Sequence, residues 1–356
     1  MRFSQIISRR ATFLVAVLAI SSLALPVAAE RVPALRAYMP SNAFRAAHPA
    51  PANTPIYHNA AHSKTVQRMA FQSALARGLS SKQAKFISEV ALLHDWDPSR
   101  KAGTPARVLE TLDALSKDFA GKKALLKGHG GKSVLKERFG WNRKQLKMAI
   151  AMIQRTEFPF AKTHPSPAYK NNSPYDRYAA MLKGMDKKSQ AFVLREGAVL
   201  SEYADKASFY FVGSFKKAVK AVDGLVNEIN TGAGKKVMDV KTLHTEKFLR
   251  TIGKKQSFAL DFALAKSLGV KGLQIPLRDA YFATLPVKYG RAFTANLSGF
   301  RAMNRALMMG QNVAKSVKRG QRAAAQHQLP RGARVHRVRL RRQYRQKSLG
   351  RVPVRR

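Results

Sequence analysis

The chain has 356 residues, 45% of them hydrophobic, enough for one sizeable buried core. It has no cysteine, which excludes disulfide frameworks, thiolate metal ligands and thiol nucleophiles. Lys and Arg number 65 against 20 Asp and Glu, a formal net charge of +45, which favours anionic partners without choosing among phosphorylated substrates, nucleic acid, lipopolysaccharide and acidic lipid.

Residues 1–29 combine Arg2, Arg9 and Arg10, an apolar run from Ala11 to Leu25, and the small-residue end Pro26-Val27-Ala28-Ala29. This is the anatomy of a secretory signal peptide cleaved after Ala29, and it predicts an exported protein, periplasmic or secreted. No other segment approaches the roughly 18 apolar residues of a transmembrane helix, so none is expected after cleavage. Residues 30–55, rich in Pro and Ala, read as an extended leader.

Residues 56–279 read as a single all-α, multi-helix domain. Helical periodicity runs through 61–77, 81–94, 104–119, 142–156, 175–183, 187–211, 214–229, 242–251 and 255–268, with Gly, Pro, Asn and Ser between the segments. Three of these segments carry the chemistry. His58 and His62, in the string YHNAAH, lie four apart, so on a helix both rings share one face. The helix over 81–93 has a Ser start signal and apolar Ala84, Ile87, Ala91 and Leu92 at helical spacing, and it ends on His94-Asp95. A third helix, within 196–211, carries Asp205. Imidazoles and carboxylates together suit Zn, Mn, Fe or Mg, and Asp95 is the natural bridge between two ions.

The order HNxxH, HD, ADxS resembles the metal site of HD-superfamily phosphohydrolases, in particular the catalytic domain of class I cyclic nucleotide phosphodiesterases, over about residues 52–270. The resemblance implies His62, His94, Asp95 and Asp205 as ligands of a divalent metal, two ions in all. It also implies a metal-activated hydroxide as nucleophile and His58 as general acid. It places His129 and Glu157 near the site, with Glu157 standing where the family has aspartate, and Gln256 with Phe258 where the family clamps a base. A third histidine, three residues beyond the family's HD pair, is absent from His94-Asp95-Trp96-Asp97-Pro98. The function so implied is a phosphodiesterase acting on a nucleotide, cyclic or otherwise. The alternatives are a nucleotide phosphomonoesterase of the same superfamily and a non-catalytic polyanion-binding protein.

From Ala280 to Arg356 there are 19 Lys and Arg and no Asp or Glu. The composition predicts a largely disordered cationic tail that adheres to nucleic acid or an anionic envelope. No helix-turn-helix pattern, zinc-finger spacing or aromatic RNA-binding signature accompanies it.

Overall fold

The computed structural model describes residues 57–58, 60–95, 108–120, 133, 135–164, 166–232 and 252–328. Among them there is no strand, and eleven α-helices carry the fold. The leader segments, the 242–251 helix, His129 and the last 28 residues, 329–356, lie outside the described residues. No described helix is long and apolar enough to cross a membrane.

Helix α1 (Ala60–Ala76) and helix α2 (Ser81–Leu93) form an antiparallel hairpin. Its turn depends on Gly78 at φ 81, whose N–H bonds Leu75 O at 2.9 Å while the Leu79 N–H reaches Ala74 O at 3.1 Å. This left-handed C-cap costs a residue without Cβ little. A Ser80–Gln83 capping box then starts α2, whose Ala84, Ile87, Ala91 and Leu92 are all buried. Helices α3 (Val108–Phe119), α4 (Arg143–Gln154), α5 (Pro174–Lys183) and α6 (Lys187–Val199) follow.

Two arginines, the half-buried Arg77 and the buried Arg155, fix the frame around the candidate site. Arg77, at the end of α1, donates to both carboxylate oxygens of the fully buried Glu196 on α6, at 3.0 and 2.6 Å. Arg155, just past α4, donates to both oxygens of Asp261 on α8 (Ala259–Ser267) at 2.9 and 2.8 Å, and to Ser201 Oγ at 3.2 Å. A planar guanidinium matches a carboxylate bidentately, so each pair orients two helices as well as neutralising a buried charge.

The helix expected across 196–211 changes winding partway. After Val199 the backbone runs as a π-helix over Leu200–Asp205, with the Lys206 N–H reaching back five residues to Ser201 O at 3.2 Å, and a 3-10 turn follows at Ser208–Phe211. Helix α7 (Phe215–Gly232) comes next.

The expectation of a largely disordered tail from residue 280 fails for residues 280–328. Helices α9 (Arg278–Thr284), α10 (Val287–Met308) and α11 (Val313–Gln328) occupy this stretch. The cationic composition masked a helical pattern: Phe293, Asn296, Phe300 and Met303 recur every three or four residues and are buried, while Arg291, Arg301 and Arg305 are exposed. Buried Asn296 donates to the carbonyls of Tyr210 and Val212, both at 2.8 Å, and so buttresses the turn after Asp205.

At the crossing of α10 and α11, Gly299 and Gly320 leave room for the Phe215 ring; a Cβ on Gly320 would also stand 2.8 Å from Gly299 O. Gly320→Ala is therefore expected to lower unfolding free energy by about 1–3 kcal/mol through overpacking. Gly290→Ala, in the same hairpin with nothing within 4 Å of its Cβ position, should raise it by about 0.5–1 kcal/mol through helix propensity. Urea titrations of the two variants check the opposite signs.

Candidate metal centre

Four side chains from three distant parts of the chain converge. His62 lies in the first turn of α1, His94 caps α2, Asp95 follows it, and Asp205 ends the π-helical stretch. His62 Nε2 stands 3.3 Å from His94 Nε2, 3.4 Å from Asp95 Oδ2 and 3.2 Å from Asp205 Oδ1. His94 Nε2 stands 3.0 Å from Asp95 Oδ2 and 3.5 Å from Asp205 Oδ1. Both histidines are buried.

The separations among His62, His94 and Asp205 fit a shared cation. Nitrogen and oxygen donors about 2.0–2.2 Å from one ion at tetrahedral angles lie roughly 3.3–3.6 Å apart. The His94 Nδ1–H donates to Ala91 O at 2.7 Å, which turns its Nε2 into the cluster and leaves that atom free to ligate. Asp95 Oδ2 is buried and close to both rings, yet it accepts no hydrogen bond of acceptable angle. A second grouping, His58, His62 and Asp95, also brings one ligand atom from each within 4.8 Å of the others.

The buried imidazoles and carboxylates shift one another's pKa values. Burial pulls His94 down, but Asp95 and Asp205 outweigh it and hold the ring well above its ordinary pKa. Burial pushes Asp95 up, but His94 and His58 outweigh it and hold the carboxyl well below its usual range. Asp205 is lowered likewise, burial being overcome by hydrogen bonds from His62 and His94.

His58 departs from the expected helical pairing, because α1 begins only at Ala60. Its position comes from a residue the sequence did not flag. Glu228, a buried carboxylate on α7, accepts from His58 Nδ1 at 2.6 Å and from the His58 backbone N–H at 3.2 Å. The His58 ring thus lies 5.3 Å from that of His62, edge to face. Burial lowers the His58 pKa, but Asp95 and the Glu228 hydrogen bond prevail and leave it raised. Tyr57 and Ser208 complete the shell: their hydroxyls are 2.5 Å apart, and Ser208 Oγ is 3.4 Å from His62 Nδ1.

Among the described residues, Glu157 and Phe258 have other partners. Glu157 receives a hydrogen bond from the Tyr169 hydroxyl and lies 3.5 Å from His164 Nε2, in a cluster of its own. Phe258 is fully buried against Tyr203, at 6.1 Å between ring centroids, while Gln256 is exposed, so the two form no base clamp. Apolar burial claimed the phenylalanine.

Beside His62 opens a cleft of about 780 Å³ between α1, α7 and α10, also lined by Tyr57 and Ser208. No family model, curated protein or solved structure matches this chain.

Proposed function

We propose that the chain is an exported, metal-dependent phosphohydrolase of the HD type that cleaves phosphodiester bonds of nucleotides. The observation that carries this reading is the convergence of His62, His94, Asp95 and Asp205 at 3.0–3.5 Å, with His58 alongside and held by Glu228. Divalent cations, which those four residues would hold, would supply charge neutralisation for a phosphate and the Lewis acidity that makes water a nucleophile near neutral pH. The chain's own contribution is positional. Glu228 occupies Nδ1 of His58, so a proton for transfer to a leaving oxygen would come from Nε2. Ser208 and the Ala91 carbonyl fix the orientations of the His62 and His94 rings.

The test is hydrolysis of bis-p-nitrophenyl phosphate and p-nitrophenyl phosphate by the mature protein with added Mn. We expect diester cleavage to exceed monoester cleavage, to cease with EDTA and to return with metal. Absence of activity on both, with no divalent metal found by elemental analysis, would remove the enzyme reading.

A further inference from the structure

We infer that the cleft beside the histidines is a track for single-stranded nucleic acid, so that the scissile phosphodiester is one of several in the substrate; this rests on the phosphodiesterase reading above. Lys64 and Arg68 on α1, Lys217 and Lys220 on α7, and Lys288 on α10 all line the cleft, and no carboxylate does. None of the five forms an ion pair with a described Asp or Glu. A single phosphodiester carries one negative charge, and the metal centre already meets it.

Distance excludes that one phosphate as the target of all five. Arg68 lies six residues beyond His62, about 9 Å along the helix axis. Lys64 and Arg68 are one turn apart on α1, Lys217 and Lys220 nearly so on α7, and each helix turns its stripe into the same cleft. Cations spaced along three walls match anions spaced along a chain.

Aromatic surface favours nucleic acid over other polyanions. Tyr289 is half-buried on the α10 wall, with Lys288 Nζ 5.1 Å from its ring centroid, and Arg68 lies close enough across the cleft to oppose the rise that burial gives its hydroxyl pKa. Basic side chains interleaved with an aromatic ring form the usual platform for single strands, whose bases offer open π-faces that a duplex keeps stacked. The reaction is hydrolysis: the water oxygen bonds to phosphorus, the bond from phosphorus to one sugar oxygen breaks, that oxygen takes the proton from His58, and the proton that the water loses goes to solvent, from which His58 is reprotonated.

The experiment compares full-length wild type with Lys217→Gln/Lys220→Gln/Lys288→Gln on a thymidine dodecamer, a thymidine dinucleotide, bis-p-nitrophenyl phosphate and, as competitor, inorganic polyphosphate. All three lysines are exposed, so the change leaves the core intact. In wild type, kcat/KM should rise at least tenfold from dinucleotide to dodecamer, an order-of-magnitude expectation from the additional phosphates bound. The triple variant should lower the dodecamer-to-small-diester ratio of kcat/KM by about tenfold or more, chiefly through KM. The slope of log affinity against log salt should become shallower by about 2, at roughly 0.7 for each phosphate no longer neutralised. A ratio unchanged in the variant, equal rates on dinucleotide and dodecamer, or polyphosphate competing with the variant and wild type alike would each overturn the track while leaving the phosphodiesterase standing. Failure to cleave the small diester would instead overturn the underlying reading, and this inference with it.

Discussion

Asp95→Asn is expected to purify folded, with most of its divalent metal gone, and with diester hydrolysis reduced by about 10³-fold or more. Its carboxylate lies 3.0 Å from His94 Nε2 and 3.4 Å from His62 Nε2, so it is shared by both imidazoles of the cluster. The amide keeps the shape but brings a neutral oxygen, and several kcal/mol of charge stabilisation are worth about a thousandfold in rate. Asp205→Asn should behave in the same way from the other side of the rings, 3.2 Å from His62 Nε2. Elemental analysis and initial rates, with circular dichroism to confirm folding, form the check. Wild-type metal content together with wild-type rates in both variants would show that the cluster is a buried ion-pair network and not a metal site.

The second large effect separates proton donation from metal binding. His58→Ala should slow cleavage of an oligonucleotide by about 10²- to 10⁴-fold, because the departing ribose oxygen is strongly basic and needs a proton. The same variant should slow bis-p-nitrophenyl phosphate far less, since p-nitrophenolate leaves without one. Glu228→Gln should show the same selectivity at a smaller amplitude, on the order of tenfold for the oligonucleotide, because the amide still accepts from Nδ1 but no longer stabilises a cationic ring. Metal content should be unchanged in both. Equal losses on the two substrates would show that His58 and Glu228 serve only to hold the structure.

The parts of this arrangement that were legible in the sequence share a physical cause. Helix α2 announces itself through its Ser start signal and through the spacing of Ala84, Ile87, Ala91 and Leu92, so its end at His94 follows from local rules. That His62, His94, Asp95 and Asp205 would come together was expected from the order HNxxH, HD, ADxS and its resemblance to a known metal site, and the structure brings the four side chains together. Glu228 was not: it lies 170 residues from His58 on a different helix, and only its burial distinguishes it from a surface glutamate. The cleft cations were illegible for the opposite reason, since lysine is everywhere in this chain and only the packing of α1, α7 and α10 selects five of them. The α10–α11 hairpin was hidden by its composition, because its buried stripe includes Asn296, Gly299 and Ala302, residues that carry little weight in a hydrophobicity pattern.

The wider winding between Leu200 and Asp205 sets a limit on how this protein can be improved. A π-turn holds one residue more than the α-helix around it. The same residues rewound as ordinary α-helix would gain better backbone geometry and would turn everything beyond them by about 100° around the axis. Asp205 would then face away from the two imidazoles. Substitutions chosen for thermal endurance alone would favour that regular winding, so the irregular turn is a local cost on which the bearing of one carboxylate depends.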